Sequence, residues 1–282
     1  MAFGYARRPS AREGTKERRG GLVRLVVEVA LIAWVIRSLI FAPFSIPSGS
    51  MLPALYIGDY VLVAKWPYGY SRFSFPWGFP SFDGRIFDKL PKRGDVVVFR
   101  VPGTDEDFVK RVVGLPRDTV AVQDGMLIVN GKPVTRQSEG TFAMPISDNS
   151  PCRVVGGAME MQGQTDSGEP ACLYPMYREN LPGGRSYRVI DQVDNPRADD
   201  FPAIKVPDGT LFLMGDNRDD SLDSRFSREE GGIGFVPVEN VVGRATMIFW
   251  STDGSAAYLK PWTWFTALRA DRITGTFSGR EK

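Results

Sequence analysis

From Leu22 to Phe44 the chain is almost continuously apolar, LVRLVVEVALIAWVIRSLIFAPF, and beyond it apolar and polar positions mostly alternate. The first stretch has the roughly 20 residues that a membrane-crossing helix needs. Arg24, Glu28 and Arg37 interrupt it. Arg24 and Glu28 stand one helical turn apart and would pair on one face. Arg24 and Arg37 lie near the ends, where long stems reach the headgroups. The pattern predicts one transmembrane helix over 22–44, with an amphipathic surface helix as the alternative.

The alternating segments predict strands. GDYVLVAKW follows first, then KRGDVVVFRVP, then a meander of FVKRVVGL, TVAVQ and MLIVNGKPV with turns at LPRD, QDG and NGK. Between the first two, WPYGYSRFSFPWGFPSFDGRIF crowds aromatic residues among Pro and Gly. It predicts an extended hairpin or loop over 66–91, either a packed lid or an aromatic surface suited to a bilayer interface. Residues 131–205 are polar, rich in Gly, Pro, Ser and Asp, and weakly periodic, as in an inserted loop-rich subdomain. The strand pattern resumes in GTLFLMGDNRDDSLDSRF and VENVVGRATMIFW. The expected fold is mainly β: an antiparallel sheet or barrel-like core of residues 45–130 and 206–282, carrying the 131–205 insertion. The transmembrane helix and a basic tail over 1–21 precede it.

Charge orients this arrangement. Arg7, Arg8, Arg12, Lys16, Arg18 and Arg19 outnumber Glu13 and Glu17 ahead of the apolar run. The positive-inside rule then places the N-terminus in the cytoplasm and everything after Phe44 outside. The net charge of only +2 gives no support to nucleic-acid binding. Cys152 and Cys172 form no CxxC pattern. They either pair as a disulfide, which export would permit, or stand as two unrelated thiols.

The chain has no histidine, which changes the chemistry available to it. A Ser-His-Asp triad, a Cys-His dyad and imidazole-based zinc sites are all excluded. Yet IPSGSMLPAL, from Ile46 to Leu55, holds Ser48 and Ser50 in a stiff Pro- and Gly-containing segment. A serine nucleophile here needs another base, and a lysine serves if burial disfavours its charge. Lys110 is the candidate, because FVKRVV sets Phe108, Lys110 and Val112 on one strand face. Alternation would then leave Arg111 on the wet face, and it also admits the reverse. GDNRDDSLDSRF invites a calcium-loop reading that fails, since an EF-hand needs Gly and Glu where Ser221 and Ser227 fall. It is either a self-bonded turn or a source of a hydroxyl that orients the lysine. Ser147-Asp148-Asn149 spells the SDN of penicillin-binding enzymes without its S-x-x-K and K-T-G partners.

PSGSMLPAL, GDYVLVAK, RGDVVVF with DFVKRVVGLPRD, and GDNRDDSLDSR, in this order behind an anchor, resemble bacterial signal peptidase I, the membrane-bound Ser/Lys leader peptidase. The resemblance covers the anchor and the β core on both sides of 131–205. It implies Ser50 as nucleophile, Lys110 as general base, and Ser48 joining the Ser50 backbone N–H in an oxyanion hole. It implies Ser221 bonded to the Lys110 amine and an Asp223–Arg225 ion pair bracing the site. No metal or organic cofactor is implied. The implied substrates are exported preproteins with small residues at the third and first positions before the cut. The implied location is the bacterial inner membrane, single-pass, with the catalytic domain outside. Two departures stand out: Asp220 where the family often has Asn, and a long link in SREEGGIGFVP.

Overall fold

The structure is a computed structural model that describes residues 11–153, 162–183, 185–257 and 259–275. The start of the basic tail, residues 1–10, lies outside them. A helix, α1 (Ala11–Val35), is followed by one π-turn over Ile36–Ile40 and then by strand. The strands in chain order are β1 (Phe41–Ser45), β2 (Asp59–Ala64), β3 (Val96–Arg100), β4 (Asp107–Gly114), β5 (Thr119–Gln123), β6 (Met126–Val129) and β7 (Lys132–Pro133). They continue with β8 (Thr135–Pro145), β9 (Gln162–Gln164), β10 (Pro170–Leu181), β11 (Arg185–Ile190), β12 (Phe201–Lys205), β13 (Thr210–Met214), β14 (Val236–Pro237) and β15 (Val241–Ser251).

Val, Ile and Leu at alternate positions build the main antiparallel sheet, in the order β1-β2-β15-β3-β4-β13-β14. A second sheet runs β12-β5-β6-β7, so the fold is mainly β as expected. Under the segment that carries Ser50, Ile46, Met51, Leu55, Val61, Val63, Val96 and Val98 form one buried cluster. Met51 and Leu55 are fully buried, which pins the loop from below.

The helix expected over 22–44 requires correction. Phe41–Ser45 is strand, paired residue for residue with β2 from Phe41 opposite Ala64 to Ser45 opposite Tyr60. Pro43 cannot continue a helix, and an edge strand tolerates its missing N–H. Among the described residues no helix is long and apolar enough to cross a membrane. Arg24 and Glu28, paired at 2.8 Å on the exposed surface, dilute the apolar run. Its remaining side chains, Leu22 through Ile32, are nonetheless largely exposed on every face.

The aromatic segment takes the loop form of that expectation, not the hairpin. It folds as three single 3₁₀ turns, Trp66–Tyr68, Arg72–Ser74 and Pro76–Gly78, closed by one bridge between Tyr70 and Ile86. Pro67 and Pro76 favour such turns over ladder pairing. Arg85 ties the segment to the core by donating to the carbonyls of Tyr68, Gly69, Val238 and Val241.

The middle of 131–205 is more regular than its composition suggests. β8, β10 and β11 form an antiparallel sheet with β9 added beside β10, while β7 and β12 at the two ends join the second core sheet. Cys152 and Cys172 are disulfide-bonded, with Cα atoms 5.5 Å apart.

Candidate active site

Two loops meet at the mouth of the main sheet. The first is the turn after β1, where the Leu52 N–H donates to Gly49 O and the Leu55 N–H to Met51 O. The second follows β13. There the Asn217 N–H donates to Ser50 O at 3.1 Å, and the Asn217 side-chain amide donates to Gly49 O at 3.2 Å. Gly215 lets the loops come this close: a Cβ on it would sit 2.5 Å from Ser50 O and 2.3 Å from Ser221 Oγ.

Lys110 reaches this junction from β4. Its Nζ lies 2.6 Å from Ser50 Oγ, and both side chains are buried, with 4% and 7% of the residue surface exposed. Burial lowers Lys110 to about 8, partly opposed by Asp223, Asp216 and Asp220 and reinforced by Arg225. The amine is thus poised near neutrality, within range of a hydroxyl proton. Among the described residues no acceptor meets the Ser50 backbone N–H, and Ser48 Oγ stands 3.4 Å from Ser50 Oγ.

Asp223 and Arg225 form the expected ion pair at 2.9 Å, fully buried. Burial alone would raise Asp223, but the Arg225 charge and hydrogen bonds, with the Gly215 N–H, hold it below the ordinary carboxylate value. Arg225 also donates to the carbonyls of Arg218 and Ala198, so the pair fixes the whole loop. Ser221 lines the same cavity as Lys110, but its buried Oγ makes no hydrogen bond, and the expected contact with the amine is not formed. Asp220 lines the cavity too. It accepts from Arg153 at 2.9 Å, next in sequence to the disulfide. Burial raises its pKa despite Arg153 and Lys110. The long link after Arg225 folds back on itself, with Gly232 N–H donating to Ser227 O and Ser224 Oγ–H to Gly234 O.

Arg111 is a second correction. It is not on a wet face but 2% exposed, paired with Asp216 at 2.5 and 2.7 Å. Its guanidinium lies 4.3 Å from the centre of the Tyr187 ring on β11. The insertion covers that side of β4, so at Lys110 and Arg111 both strand faces are buried. Arg218 similarly forms a buried ion pair with Glu179 of β10. Ile190 at the end of β11 exchanges backbone hydrogen bonds with Asp216 and Arg218. The 131–205 segment therefore braces the very loop that holds Ser50 from above. GDNRDD carried that signal as charge density, but its partners lie in a distant segment that local pattern cannot supply.

The cavity over the dyad, about 360 Å³, is walled by Phe44, Ile46, Val98 and Leu222. A hydroxyl and a buried amine, Ser50 Oγ and Lys110 Nζ, meet at its floor. A model of the family described as "Signal peptidase, peptidase S26" matches residues 19–250, and the chain belongs to this family. Signal peptidase I of Rickettsia typhi is 36% identical over 265 residues, 87% of this chain and 89% of its own length. That of Rickettsia akari is 33% identical over 265 residues, 87% and 88% of the two chains. A crystal structure of a signal peptidase I from Enterococcus faecalis V583 is 24% identical, covering 56% of this chain and 98% of that one, with a TM-score of 0.29. The protein is a serine endopeptidase of the signal peptidase I type.

One prediction follows from the close approach at Gly215. Gly215→Ala pushes the two loops apart, costing about 1–3 kcal/mol of stability and, by misplacing Ser50, about 10²-fold in cleavage rate. Urea denaturation and a preprotein cleavage assay measure the two effects; an unchanged rate would show that the loops tolerate separation.

Proposed function

We propose that the protein cleaves N-terminal signal peptides from exported preproteins with a Ser50/Lys110 dyad. The observation that carries this reading is the buried 2.6 Å approach of Lys110 Nζ to Ser50 Oγ. Neutral Lys110 takes the Ser50 proton as Oγ attacks the scissile carbonyl. The oxyanion is held by the Ser50 N–H and the Ser48 hydroxyl. Lys110 returns the proton to the leaving amine, which leaves an acyl-enzyme on Ser50. A water deprotonated by Lys110 attacks that ester, and its collapse releases the acid and restores Ser50. Asp223 and Arg225 hold the loop, and Ser221 packs against it.

Substrate binding is by strand addition. Residues Asp107–Lys110 of β4 pair only with β3, because β13 first meets β4 at Arg111. Their other side is open towards Phe44, Ser45 and Ile46, which line the same cavity. An extended peptide laid there alternates its side chains between cavity and solvent. The shallow walls of Phe44, Ile46 and Val98 favour small residues at the first and third positions before the cut.

In this reading the protein sits in the bacterial inner membrane, with its N-terminus cytoplasmic and residues after Phe44 outside. The exposed apolar surface of α1 and the exposed Trp77, Phe79 and Phe87 of the aromatic loop support contact with lipid.

The rate tests the base. Roughly one Lys110 in ten is neutral at pH 7 if the group titrates near 8. The kcat/KM value should therefore fall about tenfold per pH unit below about 8 and level off above it. A rate that stays flat from about pH 5 to 8 rules out a lysine base.

A further inference from the structure

Lys65 follows β2 and is only 3% exposed, yet it has no part in the dyad. Among the described residues neither carboxylate nor carbonyl meets its ammonium, which lies 5.7 Å from the centre of the Phe44 ring. A buried cation without an anion is costly, so its surroundings matter. It lines a second cavity of about 550 Å³, between the end of α1 and the aromatic loop. Arg37 and Arg100 line that cavity with it, against a single carboxylate, Asp107. Asp107 is already bound by Arg100 at 2.7 Å. Lys65 and Arg37 are thus left without a carboxylate partner in the cavity.

The remaining walls are apolar: Ala33 and Trp34 from α1, Phe75 and Trp77 from the loop. They adjoin the exposed side of α1, where Val23, Val26 and Val27 continue the face of Ala30 and Ala33 at helical spacing. We propose that this cavity seats the phosphate of an anionic phospholipid between Lys65 and Arg37, with its acyl chains lying along α1. Charge-assisted contacts from two cations suit a phosphate diester. A free phosphate would leave the apolar walls wet. A signal peptide would cover them but supplies small neutral residues and no anion.

Burial lowers Lys65 to about 7, opposed by Asp107 and reinforced by Arg37, Arg85 and Arg100. An arriving phosphate restores the charge and takes up a proton. The bound lipid also joins α1 to the aromatic loop, whose ring contact there is Trp34 against Phe75 at 6.2 Å.

The test measures binding of monodisperse dioctanoyl phosphatidylglycerol to the purified full chain by native mass spectrometry and calorimetry. Dioctanoyl phosphatidylcholine, inorganic phosphate and a synthetic signal peptide serve as the other arms. The expected result is binding of phosphatidylglycerol that weakens at least tenfold in Lys65→Met, weakens in the exposed Arg37→Gln, and recovers in Lys65→Arg. Equal binding by Lys65→Met and Arg37→Gln overturns the proposal. So does competition by inorganic phosphate at equal concentration, which would make this a free-anion site. Displacement of the lipid by the signal peptide alone, with no dependence on Lys65, would assign the cavity to substrate. Binding is read without turnover, so the result is independent of the dyad.

Discussion

Lys110→Met should lower preprotein cleavage by at least ~10⁴-fold, and Ser50→Ala by a similar or larger factor. The two should not add, because each disables the same proton transfer; the double variant should be no slower than Ser50→Ala alone. Stability moves the other way. A lysine whose folded-state pKa is lowered from 10.5 to about 8 destabilises the fold at every pH where the unfolded chain would carry its proton. The penalty is fully present below about pH 8, fades between about 8 and 10.5, and is absent above. Methionine matches the lysine stem without the charge, so Lys110→Met should gain about 3 kcal/mol near neutral pH. That gain should disappear as the pH approaches 10.5. Denaturant titrations at three pH values beside the cleavage assay check both. A variant that loses activity and stability together would mean that Lys110 supports the fold instead of serving the reaction.

The approach of Ser50 and Lys110 was legible because each rests on a short segment with few chemical alternatives, and the Asp223–Arg225 pair because the family resemblance implies it. Without histidine, a loop serine beside Met51 and a lysine in a β-rich run are a narrow set, and the fold brings them to 2.6 Å. Asp223 and Arg225 lie two residues apart, so their pairing is local. What alternation missed was Arg111, because period two separates faces only when one of them meets water. Here Tyr187 and Asp216 cover the second face, and they come from segments 76 and 105 residues further along, 187 − 111 and 216 − 111. The end of the apolar run was misplaced for a related reason. Phe41–Ser45 continues the apolar run without a break in hydrophobicity, and its pairing with β2, together with Pro43, makes it strand. The segment offered a hydroxyl to orient the lysine and the resemblance singled out Ser221, but its Oγ makes no hydrogen bond here.

Removing Asp216 should cost the fold about 3–5 kcal/mol, a third or more of the stability of a typical domain. Arg111 then stays buried with two of its donors unpaired, since its remaining partner is Gly94 O at 2.9 Å. The Tyr187 ring lies against the guanidinium, which is 2% exposed. The cost comes from the stranded charge, not from the worth of the ion pair. Arg111→Met combined with Asp216→Leu should therefore recover most of the loss, because neither charge is then left alone. Asp216→Asn should fall between, keeping the shape and an acceptor but not the charge. Activity should track these variants closely. Asp216 sits between Gly215 and Asn217, and its carbonyl accepts from Ile190 of the insertion, so opening at Arg111 frees the loop that holds Ser50. Urea denaturation of the two single variants and the double supplies the cycle. A single-variant loss below about 1 kcal/mol would mean that water reaches the pair, and the insertion would then not be what seals β4.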